Sequence, residues 1–344
     1  MKIVSQTDIL AQRFYNQGFV NPYEDVESLL MAALGVQSQY INHGLFNLST
    51  RLLLRKNDKV TKSIKSAILA WGQRQTYHFY DKATWLKMAS YLSDERIWVE
   101  KYFKEEGLDL DGALVELQKM LVHPQTRSQL AQAYGDRWAQ LFTWSALFLQ
   151  ASRTGQLYQQ LLTHDRLVIW ENQILQKPAE VSRDLLESYF AFYGPATLAD
   201  AAHFFGIKQD QIDKEDLAGL YQLTNHNKVY YVTDWQENIT IPEVLVLGKF
   251  DPLLVAYRHK AVLIPAEAQP LVWKKGGQIS ALVLIKGKLR ATWTMAHQNQ
   301  GIRFVVTSPK PLALKHQATV RRRFKDYARW LDKAVSQVLF EVVK

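Results

Sequence analysis

Helices followed by a pair of strand-like segments recur three times along the chain. This recurrence predicts an α+β fold of tandem winged-helix (helix-turn-helix) domains packed into one body. After Asn238 the runs become strand-like, which predicts a C-terminal β-rich segment with a closing helix. No low-complexity linker separates the parts, so we expect one rigid body. The predicted domains are residues 1–100, 101–175, and 176–344, the last including the β-rich extension.

The first unit is predicted from helical periodicity followed by an aromatic, β-branched run. Helices are predicted at Val26–Leu34, Leu45–Leu54 and Ser63–Trp71. Asn21, Pro22 and Glu24 have the spacing of a capping box with proline at the first helical position, so Asn21 is expected to cap the first helix. Gly35 would end that helix. Gln75–Tyr80 is the predicted strand.

The second unit repeats this order. Helices are predicted at Leu114–Leu121, from Pro124 onward, and at Trp138–Ala151. Leu157–Trp170 alternates around His164-Asp165, which predicts a β-hairpin.

The third unit contains the clearest helix signals. Leu185–Phe192 is helical in period, and Thr197 is expected to cap a short helix that ends at Gly206. Gln209–Leu220 would be the helix after the turn. The strands of the wing are predicted at Tyr221–Thr224 and Val229–Thr233.

The predicted helix at Gln209–Leu220 has the wrong charge for a DNA-reading helix. Its four acidic residues would repel phosphates: Asp210, Asp213, Glu215 and Asp216. We therefore expect the winged-helix unit to be reused as a scaffold.

The C-terminal part is predicted to be mainly β. Strands are predicted at Glu243–Leu247, Ala261–Ile264, Ser280–Ile285, Lys288–Thr294 and Ile302–Thr307. A tight turn is expected at Lys286–Arg290, and Thr319–Val342 reads as a basic amphipathic closing helix.

Composition indicates a polyanionic partner. The 344 residues carry a formal charge of +9, and ten lysines and arginines stand against three acids from Gly301 to Lys344. A merely basic cytosolic protein is the alternative. The chain has no cysteine, which excludes disulfides, thiolate zinc sites and cysteine nucleophiles and suits the cytoplasm. Neither a signal peptide nor an apolar run long enough for a membrane span is found.

The stretch from Gly35 to Tyr40 contains two neutral amides, Gln37 and Gln39, two positions apart. In an extended segment such side chains point to the same side, and Gly35 would let the chain leave the helix to place them so. Paired amides can position a water or read a base edge, but they form neither a metal cage nor an acid/base dyad. From spacing alone, two solvated glutamines at a helix end remain the alternative.

With several separated landmarks in order, the chain resembles the AlkZ-like (YcaQ-type) bacterial DNA glycosylases. The landmarks are the Gln37-Ser38-Gln39 motif, the segment Arg74–His78, Phe250–Pro252, Tyr257-Arg258, and Ile285–Lys288 through Thr292-Trp293. Ser38 stands where the family commonly has an apolar residue, and Gln75 stands where it usually has glycine. Gln39, in place of aspartate, resembles the AlkZ branch, which is associated with bulky alkylation and interstrand crosslinks.

The resemblance implies a monofunctional DNA repair glycosylase for N7-alkylated purines, with Gln37 and Gln39 as catalytic residues that orient the water. DNA contacts are expected from Arg74, Thr76 and His78 in the family's segment and from Lys286, Lys288 and Arg290 at the tight turn. The clustering of basic charge adds Arg321, Arg322 and Arg323. The turn at Lys286–Arg290 is expected to clamp the lesion or to be an ordinary exposed turn. His43 and His78 are more typical of structural histidines than of catalysts. Asp251 and Arg258 are expected to form an internal ion pair that shapes the site or is architectural.

The expected partner is double-stranded DNA carrying alkylated purines or crosslinks, bound by a monomer without a cofactor and away from membranes. In a bacterial cytoplasm the protein would be nucleoid-associated when on DNA. The alternatives are a non-enzymatic DNA-binding or regulatory protein and a protein-interaction scaffold.

Overall fold

The computed structural model describes residues 2–343, which form fifteen α-helices and fourteen strands and confirm the α+β class. The helices are α1 (Gln6–Asn16), α2 (Val26–Ala32), α3 (Ile41–Ser49), α4 (Val60–Ser63), α5 (Lys82–Tyr91), α6 (Trp98–Glu105), α7 (Leu110–Met120), α8 (Arg127–Tyr134), α9 (Arg137–Leu141), α10 (Ala146–Arg153), α11 (Pro178–Tyr193), α12 (Leu198–Phe205), α13 (Pro252–Val255), α14 (Gln269–Val272) and α15 (Leu314–Trp330). The strands are β1 (Lys2–Ile3), β2 (Val36–Gln37), β3 (Ile68–Trp71), β4 (Tyr77–Tyr80), β5 (Gln125–Thr126), β6 (Leu157–Leu161), β7 (Arg166–Trp170), β8 (Tyr221–Asn225), β9 (Lys228–Val232), β10 (Val244–Leu247), β11 (Ala281–Ile285), β12 (Lys288–Gln298), β13 (Gly301–Ser308) and β14 (Val335–Val342). Within this range no helix has both the length and the apolar character needed to cross a bilayer.

The strands form three sheets. A six-stranded sheet has the order β2-β4-β3-β6-β7-β5, a five-stranded sheet runs from β10 to β14 in sequence order, and a three-stranded sheet has the order β1-β8-β9. Two pairings join parts of the chain that are far apart in sequence: β3 pairs with β6 at Leu69 and Gln159, and β1 lies parallel to β8. The predicted first and second units thus share one sheet. The N-terminal strand joins the sheet of the third unit, while the predicted division into three domains remains a prediction.

Aromatic side chains connect the first unit to the C-terminal sheet. Phe46 on α3 lies 4.6 Å, between ring centroids, from Trp293 on β12, which lies 5.0 Å from Phe324 on α15. Phe324 stacks on Phe304 of β13 at 4.1 Å. All four rings are buried in the largest hydrophobic core. Burial of a large apolar side chain stabilises the fold by roughly 1.5–3 kcal/mol. These four rings therefore hold the first unit against the C-terminal sheet.

Several predicted boundaries are confirmed by their caps. The Thr197 side chain accepts a bond from the Asp200 amide and starts α12, which ends at Gly206 in a left-handed conformation. Thr126 caps α8 in the same manner, so this helix begins at Arg127, later than the predicted Pro124, and Gln125–Thr126 is β5. The predicted hairpins at Leu157–Trp170 and Tyr221–Thr233 form as β6-β7 and β8-β9. Short polar caps and turns are local, so the sequence alone can specify them.

The predicted helix at Ser63–Trp71 is wrong, because Ile68–Trp71 is strand β3. All four of its residues are buried between neighbouring strands. A strand covered on both faces has a continuous apolar run, which periodicity cannot distinguish from a buried helix.

Four other predicted elements differ from the structure. The helix predicted at Trp138–Ala151 is broken, since α9 ends at Leu141 and α10 begins at Ala146. Gln209–Leu220 contains two single 3-10 turns, Gln209–Gln211 and Glu215–Leu217, instead of a helix, since only Ile212 and Leu217 within it are buried. Lys260–Val262 is likewise a turn where a strand was predicted. The closing helix ends at Trp330, and the end of the chain returns as β14, parallel to β13.

The starts of two helices in the first unit are also displaced from their predicted positions. Asp25, and not Asn21, caps α2 by accepting the Ser28 amide at 2.8 Å. The second helix begins at Ile41 and ends at Ser49, earlier than the predicted Leu45–Leu54.

The ring of Tyr80 on β4 is enclosed by two glycines. A Cβ atom on Gly35 would lie 2.3 Å from this ring, and one on Gly72 would lie 1.9 Å from its hydroxyl. The Tyr80 hydroxyl donates to Gln73 Oε1, and Gln73 Nε2 donates to the Leu34 carbonyl at 3.1 Å. One buried ring therefore fixes both the exit from α2 and the turn before β4.

We expect Gly35→Ala to lower the free energy of unfolding by roughly 2–5 kcal/mol, because it adds a clash with Tyr80 to the strain of φ +87°. Gly219→Ala is the matched control, since Gly219 has φ +94° but nothing within 4 Å of the position that a Cβ atom would take. It should cost roughly 1–2 kcal/mol. Urea unfolding of both variants measures the difference, and equal losses would contradict the close-packing explanation.

Candidate active site

The segment that carries the two amides leaves α2 through a left-handed turn. Leu34 and Gly35 have φ values of 51° and 87°, and Val36–Gln37 then pairs with β4. In this register Gln37 lies opposite His78. The predicted extended conformation after Gly35 is therefore present, with β4 as its support.

The two amides lie on the same side of the chain, as their spacing predicts. Gln37 Nε2 donates to Gln39 Oε1 at 3.0 Å; Gln37 is buried and Gln39 is exposed. Ser38, between them, points the other way, and its hydroxyl donates to the Val36 carbonyl at 2.7 Å. A Cβ on Gly44 would lie 2.2 Å from the Ser38 hydroxyl, so the small residue at position 44 makes room for Ser38. The polar residue between the glutamines thus packs without disturbing them.

Arg74 holds the amide pair in place. Its guanidinium donates to Gln37 Oε1 at 3.0 Å and to the Phe204 carbonyl at 2.7 Å. Burial lowers the pKa of Arg74. The result is a chain of hydrogen bonds from α12 through Arg74 and Gln37 to Gln39.

The turn that presents Arg74 is strained. Arg74 and Gln75 both have positive φ, at 55° and 54°. Glycine adopts this conformation readily, whereas other residues do so at a cost of roughly 1–3 kcal/mol. Gln75 therefore keeps the backbone shape that glycine would favour at this position.

Gln37 and Gln39 open into a cleft of about 820 Å³. Its other lining residues are Tyr40, Arg74, Thr76, Trp144, His203, Phe250, Leu254, Val255, Lys260, Trp273, Lys274, Gly276, Gly277, Gln278 and Ile279. No carboxylate is among them, and three are cationic. Such a lining favours phosphate groups and offers no carboxylic acid or carboxylate base.

Aromatic rings and lysines form the rim next to Gln39. Tyr40 stacks on Phe250 with centroids 5.7 Å apart, and the Lys249 ammonium lies 4.7 Å from the Tyr40 ring. The Tyr40 hydroxyl donates to Gln278 Oε1 at 2.8 Å, which ties this rim to the loop Trp273–Ile279. Flat rings beside cations suit nucleobases and the phosphates between them.

The two histidines suggested by sequence are structural. Burial, together with nearby cations, lowers the pKa of both His43 and His78 to about 3, so both are neutral near pH 7. His43 Nδ1 accepts the Lys249 amide at 3.1 Å, and His78 Nδ1 lies 2.8 Å from the Thr76 carbonyl. His78 is 1% exposed and supports the turn before β4 rather than a surface for DNA.

The remaining predicted DNA contacts lie in different places. Thr76 lines the cleft with Arg74. Lys286, Lys288 and Arg290 are exposed at a tight turn, but they line a separate groove of about 570 Å³ beside α1. The residues Arg321, Arg322 and Arg323 are exposed on α15 and do not line the cleft. Of the predicted DNA contacts, the structure thus brings Arg74 and Thr76 to the amide pair and leaves the six predicted lysines and arginines of the turn and of α15 outside the cleft.

The expected ion pair between Asp251 and Arg258 is wrong. Asp251 forms a two-point pair with Arg51, at 2.7 and 2.8 Å, and both side chains are fully buried. Arg258 is exposed and lines a neighbouring pocket with Arg74 and His203. Arg51 lies 200 residues before Asp251, so sequence spacing gave no signal of this pairing.

Sequence reasoning missed several cleft residues, including Trp144, Lys260 and the loop Trp273–Ile279. The loop has a local signal, because Lys274-Lys275-Gly276-Gly277 is typical of a turn bearing two cations. Trp144 and Lys260 have none, since only tertiary packing brings them beside Gln39.

Stability should fall in mild acid because of the buried histidines. A histidine with a folded pKa near 3 binds a proton in the unfolded chain below about pH 6.5, so acid favours unfolding. Between pH 7.5 and 5.5, His78 should account for a loss of about 1.4 kcal/mol. Urea unfolding of His78→Gln should lack this part of the pH dependence, and the exposed His164→Gln should behave as the wild type. An unchanged pH dependence in His78→Gln would contradict the assignment.

Comparison with known proteins gives the family and the fold of the chain. A family model described as DNA glycosylase AlkZ-like matches residues 32–330. The solved structure of Streptomyces sahachiroi DNA glycosylase AlkZ superimposes with a TM-score of 0.74 at 18% identity, covering all of both chains, and shows a shared fold. No curated protein sequence matches. The resemblance and the prediction of a DNA repair enzyme are confirmed. Because the family model spans most of its length, the chain belongs to the AlkZ-like DNA glycosylase family.

Proposed function

We propose that this glycosylase is monofunctional and hydrolyses the N-glycosidic bond of N7-alkylated purines in double-stranded DNA. Interstrand crosslinks joined through such purines are within the same chemistry. The observation that carries the proposal is the amide pair, held by Arg74, in a cationic cleft whose lining has no carboxylate.

The absence of a carboxylic acid from the lining matches this substrate class. A purine alkylated at N7 is already cationic, so it leaves without being protonated. The enzyme then has to place a water and stabilise positive charge that develops on the sugar. Amide carbonyls provide a negative dipole for both tasks, whereas a neutral purine would need an acid. The lining has no carboxylic acid, and burial together with Arg74 and Lys260 lowers the pKa of His203, the histidine in the lining.

The hydrogen bonds give the two glutamines different roles. Gln37 Oε1 already accepts from Arg74, and its Nε2 donates to Gln39. Gln37 therefore orients Gln39, and a free lone pair on each carbonyl can accept a water hydrogen. The oxygen of that water is aimed at the anomeric carbon. Since neither amide is a competent base near neutral pH, orientation accounts for most of the effect.

We expect the fold around this cleft to bind DNA without placing a recognition helix in a groove. We infer that the helix-then-hairpin units are winged-helix units reused for support, because the segment Gln209–Leu220 is a pair of turns rather than a groove-binding helix. Lys260 and Lys274 supply charge for the phosphate backbone, with Lys249 on the rim. The Lys286–Arg290 turn and Arg321–Arg323 are further candidate contacts outside the cleft. We further propose a monomeric, cytoplasmic enzyme that needs no cofactor.

The direct test is incubation with duplex DNA containing N7-methylguanine and, separately, with crosslinked DNA. Free base and heat-labile abasic sites are expected from the first and separated strands from the second. Separation of crosslinked strands without base release from N7-methylguanine DNA would make the crosslink the preferred lesion. Sequence-specific binding without any base release would instead overturn the proposed reaction.

Gln39→Ala should retain DNA binding and lose excision by roughly 10²-fold or more, because the water is no longer oriented. Gln222→Ala is the matched control, since it removes an exposed amide on β8 that does not line the cleft, and it should keep the wild-type excision rate. Single-turnover excision at saturating enzyme separates chemistry from binding. Comparable rates for Gln39→Ala and wild type would reject the role of Gln39.

Borohydride should trap no covalent adduct between the protein and damaged DNA, because water and not an amine attacks the sugar. Lys260 and Lys274 line the cleft and are the amines best placed to form a Schiff base. A trapped adduct that disappears in Lys260→Ala or Lys274→Ala would make the enzyme bifunctional.

A further inference from the structure

Trp144 lies at the edge of the cleft with its indole in solvent. Its side chain is 87% exposed, although it lines the cleft together with Gln37, Gln39 and Arg74. On its other side it borders a shallow groove of about 440 Å³ with Trp98, Lys101, Tyr102, Glu105 and Thr143. The indole thus stands between the amide pair and a second aromatic surface.

The backbone holds the indole in this position at a conformational cost. Trp144 and Ser145 have positive φ values of 49° and 65°, which bulky residues rarely adopt. Buried side chains anchor both ends of this turn: Phe142 stacks on Trp138 at 4.1 Å, and Ala146 and Leu147 are fully buried. Strained residues of this kind persist where the surrounding structure imposes them, and they cluster at functional sites.

An exposed indole on a constrained backbone turn beside a cationic cleft has the properties of a stacking surface for a nucleobase. Every base presents a π face, so stacking tolerates any sequence, as a lesion-directed enzyme requires. Lys101 lines the groove beside the indole and lies 3.6 Å from Glu105. A protein partner would instead bind Trp144 through apolar contact, and its binding would not depend on the presence of any nucleobase.

We propose that Trp144 stacks on a nucleobase adjacent to the lesion and keeps the damaged nucleotide aligned with Gln37 and Gln39. This positioning role rests on the proposed function only in that the cleft must hold damaged DNA. It concerns binding, and can therefore be tested apart from base release.

The test is a thermodynamic cycle between the indole and each base near an N7-methylguanine. An abasic spacer is moved through the three positions on each side of the lesion, in both strands. Dissociation constants are measured for the wild type and Trp144→Ala. We expect Trp144→Ala to weaken binding to intact damaged DNA by roughly 5- to 150-fold. Where the spacer replaces the base that stacks on Trp144, the affinity lost through Trp144→Ala and the affinity lost through the spacer should not add. Each change alone already removes the same stacking contact.

Two further variants separate stacking from apolar contact. Trp144→Phe keeps a π face and should retain the position-specific coupling, whereas Trp144→Leu keeps apolar volume and should lose it. Tyr221→Ala is the matched control, because Tyr221 is a 58% exposed aromatic on β8 that does not line the cleft. It should leave affinity and coupling at wild-type values.

The outcomes distinguish this inference from the proposed reaction. Additive losses at every spacer position, or coupling that survives in Trp144→Leu, would overturn the stacking role even if the enzyme releases base normally. Absence of base release by the wild type, with the coupling intact, would overturn the proposed reaction and leave the stacking role standing.

Discussion

The close approach of two glycines to one buried tyrosine is the constraint on which the catalytic segment depends. Tyr80 fills the space between Gly35 and Gly72, so neither glycine can carry a side chain without moving the ring. Gly35 directs the chain into β2, and Gly72 begins the turn that presents Arg74. Gln73 then connects the two segments by bonding to both Tyr80 and Leu34. Because the ring fixes both segments, the Arg74–Gln37 contact follows from core packing rather than from flexible side chains meeting at the surface.

A second buried contact sets the opposite wall of the cleft. The Arg51–Asp251 pair joins the end of α3 to the segment that carries Phe250, and Asp251 also caps α13. Phe250 in turn stacks on Tyr40, next to Gln39. A fully buried ion pair adds little net stability, but removal of one partner leaves an uncompensated charge, so it specifies geometry strongly. Both walls of the cleft are thus attached to the interior.

The chemistry of the cleft follows from what the two walls leave exposed. They present amides, aromatic rings and cations, while His43 and His78 behind them are buried and neutral. A leaving group that already carries positive charge suits such a surface, because its departure needs orientation and charge stabilisation more than proton transfer. Strained residues recur around this surface: Leu34, Arg74, Gln75, Trp144 and Phe250 all have positive φ.

The sequence by itself determined the features that depend on neighbouring residues. These include the exit from α2 at Gly35, the same-side placement of Gln37 and Gln39, the cap at Thr197 and the hairpin turns, because caps, turns and alternation act over a few positions. Only the tertiary structure decided that Ile68–Trp71 is a central strand, that Asp251 pairs with Arg51, and that Arg74 and Trp144 meet the glutamines. These contacts join residues tens to hundreds of positions apart, and their energies come from burial and packing, which local sequence patterns do not encode.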